Sequence, residues 1–199
     1  MKIHSTVILE DNVNLGKNVS IGPFSIIRNG TSIGDNVTIG THCVIGSKPD
    51  VINSNQFNEL IINENVKIND SVIISLGYKS ATVISKDTFI MNNSYIAHDV
   101  QIGERVIITG SVNILGNCFV DSEVYLGTNS TVHQNSSLEK LSVLAANSFA
   151  KGNLNAGIIY VGNPALPVKL NKKGFENSKL NIEELNQIEE KALEVIKSI

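Results

Sequence analysis

The chain has 199 residues, of which 42% are hydrophobic and 18% charged, with a formal net charge of −3. This composition is typical of a folded globular protein and allows one domain with a sizeable core. The acidic balance argues against nucleic-acid binding, which requires a basic surface to neutralise phosphates. No apolar run follows Lys2, and no stretch of about 18 apolar residues occurs, so we expect neither a signal peptide nor membrane insertion. We predict a cytoplasmic protein.

A six-residue repeat begins at the N-terminus. Branched aliphatic residues stand six positions apart at Ile3, Leu9, Leu15, Ile21, Ile27, Ile33, Ile39 and Ile45, and the register returns at Ile62, Ile68 and Ile74 and from Ile84 to Leu144. Neither an amphipathic helix nor an alternating strand has this period. One short strand plus one corner accounts for a hexad, and three hexads close a triangular coil. The repeat therefore predicts an all-β protein, a parallel β-helix of about seven coils over residues 1–150.

The remaining segments interrupt or follow this repeat. Insertions are predicted at 47–59 and 77–82, where solenoids carry functional residues. Residues 151–175 contain several glycines and prolines and predict an irregular cap, and within 176–199 the apolar spacing from Asn181 to Ile196 predicts a short C-terminal α-helix. Cys43 and Cys118 occupy the small-residue position of their hexads, so we expect both to be buried free thiols.

The strongest catalytic candidate is His98, in the run Tyr95-Ile96-Ala97-His98-Asp99. His98 follows the inward Ile96 by two residues, so its side chain is expected to face outward. An outward neutral imidazole is suited to general-base catalysis near pH 7. The alternative is a surface histidine with no role.

The wider sequence resembles a known family. Ile-Ala-His-Asp at 96–99, Gly116-Asn117, Val132-His133-Gln134 and Gly162-Asn163-Pro164-Ala165 resemble the UDP-N-acetylglucosamine acyltransferase of lipid A synthesis and related nucleotide-amino-sugar N-acyltransferases, over nearly the whole chain. The resemblance implies a left-handed β-helix, an acyltransferase and a homotrimer with its sites between neighbouring subunits.

The resemblance also implies site residues. The catalytic group is His98 as the base, Asp99 as the residue that orients it, and Gly116, whose backbone N–H would stabilise the oxyanion. The remaining candidates are Asp50, Tyr95, Asn117, His133 and Gln134 for the nucleotide sugar, and Gly162, Asn163, Ala165 and Lys169 for the pantetheine arm of the acyl donor. His133 is alternatively a plain corner residue.

Departures from the lipid A enzyme set the predicted substrates. Tyr95 and Asn117 stand where that enzyme has histidines, and the tail after Phe175 is much shorter. We therefore predict transfer of a short acyl group from acyl-CoA, either acetyl-CoA or a short hydroxyacyl-CoA, to the amine of a nucleotide-linked amino sugar, without a metal.

Two alternatives stay open. The first is the acyl-carrier-protein-dependent UDP-N-acetylglucosamine O-acyltransferase of lipid A synthesis, for which Lys169, Lys172 and Lys173 form the candidate docking surface. The second is a non-catalytic or metal-binding hexapeptide trimer. The four histidines, His4, His42, His98 and His133, lack the spacing of a zinc site.

Overall fold

The computed structural model describes residues 1–52 and 56–198 of the chain. The strands are short, and most contain two residues because each hexad turns a corner after one strand. They are β1 (Lys2–Ile3), β2 (Ile8–Leu9), β3 (Asn14–Leu15), β4 (Ser20–Ile21), β5 (Ile26–Ile27), β6 (Thr31–Ile33), β7 (Thr38–Ile39), β8 (Val44–Ser47), β9 (Leu60–Ile62), β10 (Lys67–Ile68), β11 (Ile73–Ser75), β12 (Thr82–Ile84), β13 (Phe89–Ile90), β14 (Tyr95–Ile96), β15 (Gln101–Ile102), β16 (Ile107–Ile108), β17 (Asn113–Ile114), β18 (Phe119–Val120), β19 (Tyr125–Leu126), β20 (Thr131–Val132), β21 (Ser137–Leu138), β22 (Val143–Leu144), β23 (Phe149–Ala150), β24 (Asn153–Leu154), β25 (Ile158–Gly162) and β26 (Ala165–Leu170). The helices are α1 (Lys172–Asn177) and α2 (Ile182–Lys197).

The strands form the three faces of a prism. The first face runs from β1 through β4, β7, β10, β13, β16, β19 and β22 to β25 and β26, the second from β2 to β23, and the third from β3 to β24. From β1 to β25 each strand pairs in parallel with the strand three later in the chain. Where the six-residue spacing is unbroken the partners lie 18 residues apart, as for Ile96 and Ile114, whereas Leu138 and Leu154 lie 16 residues apart. The predicted parallel β-helix is confirmed.

The aliphatic residues of the hexads fill the prism interior, except in the first coil, where Ile3 and Leu9 are exposed. Ile27, Ile45, Ile96 and Ile114 are fully buried, as are most members of the column. Cys43 and Cys118 are buried free thiols beside this column, as predicted. The interior is therefore a continuous apolar stack that holds the corners at fixed heights.

The corners need residues that accept a left-handed backbone. Eighteen non-glycine residues in the described ranges have a positive φ, and nine of them are asparagine. Asparagine tolerates this conformation because its short polar side chain bonds locally. Asp99, with a φ of +61°, is one of these corner residues.

The prism is taller than predicted, because the repeat does not end near Ala150. Instead of about seven coils, nine parallel strands stack on the first face and eight on each of the others. The additional strands β23, β24 and β25 contain Ala150, a small residue in the aliphatic position, and Leu154, which follows after four residues instead of six. At about 4.8 Å per coil the prism is roughly 40 Å tall.

The segment expected to be an irregular cap contains ordered elements. Within residues 151–175, β24 and β25 continue the prism, and β26 folds back antiparallel to β25. Asn171 caps α1 by accepting a hydrogen bond from the Gly174 N–H at 3.0 Å. Helix α2 packs against the end of the prism through buried Ala192. No helix within the described ranges is long and apolar enough to cross a bilayer.

Candidate active site

His98 lies at the corner where the chain turns from the second face to the third, between β14 and β15. Because Tyr95 pairs with Asn113 and the next coil follows in register, this corner carries His98, Gly116 and Gln134 in successive coils. Both predicted insertions leave the prism at the same corner, between β8 and β9 and between β11 and β12. Residues 53–55 of the first insertion lie outside the described residues. We call this edge the site corner, comprising residues 97–100, 115–118 and 133–136 with the described parts of the two insertions.

His98 and Asp99 form a hydrogen-bonded pair. His98 Nδ1 lies 3.0 Å from Asp99 Oδ2. The carboxylate accepts, so this bond assigns the proton of the neutral imidazole to Nδ1 and leaves the Nε2 lone pair free. The side chain of His98 is 22% exposed and that of Asp99 only 5%. The arrangement therefore allows His98 to meet a ligand, while Asp99 acts on His98.

The second insertion holds the other oxygen of Asp99. Asp99 Oδ1 accepts hydrogen bonds from the backbone N–H groups of Tyr78, Lys79 and Ser80 at 2.8, 2.9 and 2.9 Å. Burial alone would raise the pKa of Asp99, but these bonds and the one from His98 outweigh it, so the pKa lies below its ordinary value. Asp99 is therefore an ionised carboxylate at neutral pH, and its Oδ2 faces Nδ1 of His98.

Gly116 contacts the imidazole from the next coil. A Cβ placed on Gly116 would lie 2.8 Å from both Cε1 and Nε2 of His98, so only glycine fits beside the ring in this position. Its carbonyl accepts a hydrogen bond from the Asn135 N–H at 3.1 Å, whereas its own N–H has no partner within residues 1–52 and 56–198. A free N–H beside a base is suited to stabilising an oxyanion.

Tyr95 connects the first insertion to this site. Its hydroxyl donates a hydrogen bond to Asp50 Oδ2 at 2.7 Å. Burial and this hydrogen bond raise the pKa of Tyr95, so the phenol stays protonated and remains a donor. The structure thus brings Asp50 and Tyr95 together and leaves the exposed Asp50 with a second oxygen able to accept from a ligand.

Asn117 lies beside the His98–Asp99 pair. Its backbone N–H donates to the carbonyl of His98 at 3.0 Å. Its side-chain Nδ2 donates to Asn135 Oδ1 at 2.7 Å. Asn117 is thus near His98, and its side-chain amide is hydrogen-bonded to Asn135 in the next coil.

His133 and Gln134 lie farther along the site corner. The ring of His133 packs edge-on against Phe149 with the ring centres 5.6 Å apart. His133 is two coils from the coil of His98, roughly 10 Å at the usual coil spacing. An elongated ligand lying along the corner would therefore span both histidines.

The six-residue repeat matches a known protein family. The bacterial transferase hexapeptide family (six repeats) matches residues 12–47 and 81–116. The chain is a hexapeptide-repeat protein. It is 24% identical over 208 residues to an acyl-(acyl-carrier-protein)–UDP-N-acetylglucosamine O-acyltransferase of Herminiimonas arsenicoxydans, covering 94% of this chain and 79% of that protein. A protein of the same name from Paraburkholderia phymatum is 29% identical over 196 residues, covering 87% and 75%.

Solved structures show the same fold for this hexapeptide-repeat protein. A UDP-N-acetylglucosamine acyltransferase from Bacteroides fragilis matches with a TM-score of 0.83 at 21% identity, covering 93% of this chain and 81% of that one. The left-handed β-helix implied by the resemblance is confirmed. The resemblance to the hexapeptide-repeat acyltransferases and the prediction of an acyltransferase are confirmed as well.

The predicted donor and acceptor are wrong. The relatives are named for an acyl-carrier-protein donor and O-acylation of UDP-N-acetylglucosamine, which favours the alternative over acyl-CoA and a sugar amine. The prediction depended on Tyr95 and Asn117 replacing histidines. In the structure these side chains bond to Asp50 and Asn135, so the replacements do not identify the acyl donor.

The residues predicted to bind the acyl donor lie away from His98. Gly162, Asn163, Ala165 and Lys169 belong to the β25–β26 hairpin on the first face, or to the turn that joins its strands. This hairpin is four coils beyond the coil of His98, roughly 19 Å along the prism axis. Within one chain the structure does not bring them into the site corner, because residues far apart in a solenoid stay far apart in space.

The turn that holds Asp99 was not predicted. Tyr78, Lys79 and Ser80 were assigned only to an insertion, although their backbone groups bind the carboxylate of Asp99. The available signal was Tyr78, a bulky residue where the repeat places a small one. A break in a regular solenoid at the level of the candidate base was the place to look for further site residues.

The other histidines lie in separate surroundings. His4 Nδ1 is 2.9 Å from Thr6 Oγ1, and the ring of His42 stacks on Phe24 with the centres 5.2 Å apart. Among the residues that the structure describes, no group of three or more His, Cys, Asp or Glu side chains is placed to hold a metal ion.

Proposed function

We propose that this protein transfers an acyl group from an acyl carrier protein to a hydroxyl of UDP-linked N-acetylglucosamine. One observation carries the proposal: the His98–Asp99 pair lies against Gly116, whose N–H has no partner among the described residues, so a base and an oxyanion donor occupy one site. The names of the relatives supply the donor and the acceptor.

The reaction needs one base and one oxyanion site. His98 Nε2 accepts the proton of the acceptor hydroxyl as its oxygen attacks the thioester carbon, and the Gly116 N–H stabilises the negative charge on the carbonyl oxygen. The carbon–sulfur bond then breaks, and the proton passes from Nε2 to the leaving thiolate. A positioned base contributes ~10²–10⁴-fold and one oxyanion donor ~10²–10³-fold.

Asp99 has an electrostatic role in this mechanism. His98 becomes positively charged when it takes the hydroxyl proton, and the ionised Asp99 at 3.0 Å stabilises that charge. The bond from Nδ1 also keeps Nε2 directed away from the carboxylate. Asp99 therefore selects the neutral tautomer of His98 whose Nε2 can accept a proton.

Asp50 and Tyr95 are proposed to hold the sugar. The carboxylate of Asp50 is exposed and fixed at one oxygen by the Tyr95 hydroxyl. Carboxylates of this kind accept hydrogen bonds from sugar hydroxyls and amides. We assign His133 and Gln134, farther along the corner, to the nucleotide part of the same ligand.

A homotrimer is part of the proposal. Phe89, Ile107, Tyr125 and Val143 stand opposite one another on successive strands of the first face and point outward. Ile107 and Tyr125 remain 38% and 40% exposed in the single chain. A contiguous apolar strip of this kind marks a protein–protein interface.

The carrier protein is proposed to dock near the C-terminal end of the prism. Lys169, Lys172 and Lys173 border a groove of about 570 Å³ whose apolar walls include Leu193 and Ile196. A basic rim complements an acidic carrier. This groove is far from His98 of the same chain. We therefore propose that a carrier docked in the groove of one subunit delivers its acyl group to His98 of a neighbouring subunit.

The test is a donor and acceptor screen with the purified protein. UDP-N-acetylglucosamine and, separately, a UDP-linked sugar with a free amine are incubated with acyl carrier proteins and coenzyme A thioesters of graded chain length, and product masses are read directly. With the carrier-protein donors we expect an ester product, and hydroxylamine should cleave this ester. The His98→Gln variant should give no detectable ester. A hydroxylamine-resistant amide product, or turnover with coenzyme A thioesters alone, would contradict the proposal.

A further inference from the structure

The second insertion forms a tight turn around the carboxylate of Asp99. Three successive backbone N–H groups, those of Tyr78, Lys79 and Ser80, converge on Asp99 Oδ1 within 2.9 Å. The Ser80 hydroxyl lies 3.4 Å from the same oxygen. Consecutive N–H groups arranged in this way form a nest that binds an anionic oxygen. Since Oδ1 is fully engaged, Oδ2 alone is directed to His98.

The same turn contacts the imidazole directly. The rings of Tyr78 and His98 meet edge to face, with centres 6.0 Å apart and planes at 81°. Tyr78 comes from the coil before His98, and Gly116 lies in the coil after it. The imidazole is therefore contacted from both directions along the prism axis, which restricts its rotation.

The turn can form only because Gly77 has no side chain. A Cβ on Gly77 would lie 1.8 Å from the carbonyl oxygen of Ser80. Both groups belong to the backbone of the same turn, so no side-chain movement relieves the contact. Alanine at this position has to open the turn and withdraw N–H groups from Asp99.

We propose that residues 77–80 are a positioning element for the base: they bind Asp99 Oδ1 and thereby fix the tautomer and orientation of His98. The turn touches no reacting atom in this scheme and acts through Asp99 and through the Tyr78 ring. The proposal rests on the proposed function for what the base does, but the way the base is held is testable without a substrate.

The first readout is the tautomer of His98, measured by nitrogen NMR on protein labelled with ¹⁵N at its histidines. The chain has four histidines, and the His98→Gln spectrum assigns the relevant signal. In the native protein and in Tyr78→Phe we expect the neutral form to carry its proton on Nδ1. In Gly77→Ala we expect a mixture of tautomers, because the carboxylate is no longer fixed.

The second readout separates turnover from binding. Gly77→Ala and Tyr78→Ala should lower kcat by about tenfold or more with KM for the nucleotide sugar within twofold, since a displaced base slows chemistry without weakening binding. Tyr78→Phe should keep native kcat, because it retains the ring. Gly110→Ala is the matched control, since its Cβ would meet only Asn92 O at 3.5 Å.

Several results would overturn the positioning role. A native tautomer in folded Gly77→Ala would show that the turn does not orient His98, and a rise in KM with unchanged kcat would make it a substrate-binding loop instead. If Gly77→Ala does not fold, unchanged kcat and tautomer in Tyr78→Ala reject the proposal. If the native protein has no turnover with any carrier-protein donor, the proposed function fails, whereas the NMR result still decides how His98 is held.

Discussion

Replacing Gly116 by alanine should displace the imidazole of His98, the proposed base, with little other strain. The new Cβ would lie 2.8 Å from Cε1 and Nε2 of His98, whereas relaxed carbon contacts are about 3.5–4.0 Å. The ring therefore has to retreat by roughly 1 Å. Gly116 is not among the residues with a positive φ, so alanine can adopt its backbone conformation. A shift of about 1 Å in a reacting group lowers the rate by ~10²-fold, or ~2.7 kcal/mol of transition-state stabilisation.

Gly110→Ala is the control for this substitution. Gly110 follows Ile108 by two residues, as Gly116 follows Ile114, so both occupy the same position in their hexads. A Cβ on Gly110 meets only the Asn92 carbonyl oxygen at 3.5 Å, an ordinary contact. The assay compares kcat/KM by product mass spectrometry, with the melting temperature measured alongside. We expect both variants to melt within about 4 °C of the native protein.

Two results would refute this reasoning. Retention of more than a third of native kcat/KM in folded Gly116→Ala would mean that the His98 ring position is not critical for turnover. An equal loss of activity in Gly110→Ala would mean that any added methyl group in this hexad position perturbs the prism, and that the effect at Gly116 is not local to His98.

Three further predictions follow from the site and the core. His98→Gln should lower turnover by ~10²-fold or more in the mass-spectrometric assay and leave the melting temperature nearly unchanged, because the side chain lies outside the apolar column. Asp99 has a lowered pKa in the folded state, so its contribution to stability is present above the unfolded value of about 3.9 and is lost as pH falls through the folded value. Urea unfolding of Asp99→Asn should therefore show lower stability at pH 7 and a smaller further loss below pH 4. Ile108→Ala should cost ~2–5 kcal/mol in urea unfolding because Ile108 is fully buried, whereas Ile8→Ala, 57% exposed, should cost under about 1 kcal/mol.

Most of the fold was predictable because the hexad is a strong constraint. An aliphatic residue every six positions fits a triangular coil but fits neither an amphipathic helix nor an alternating strand. Residues such as Ile96 and Ile114 lie in the interior as expected. The prediction failed after Leu144. There Ala150, a small residue, occupies the interior position, and Leu154 follows it after four residues instead of six. Strands β23, β24 and β25 therefore lack the pattern that identifies the others.

Part of the candidate site was also predictable. His98 and Asp99 are neighbours in sequence, and Gly116 lies 18 residues later, one full coil away, so the repeat alone predicts that the three meet. The acyl donor was predicted wrongly. Residue substitutions at Tyr95 and Asn117 were interpreted as changes in substrate, and their actual partners were not visible without coordinates.

The sequence by itself determined the elements that obey its period: the prism, the inward column and the site-corner residues spaced by whole coils. Only the tertiary structure decided what the two insertions do. Tyr95 bonds to Asp50 across 45 positions, and the turn at Tyr78 to Ser80 closes on Asp99 about 20 positions away. An insertion lies outside the repeat and has no fixed register. Its path therefore depends on which polar groups at the site corner it can hydrogen-bond. Those hydrogen bonds exist only after the coils have stacked.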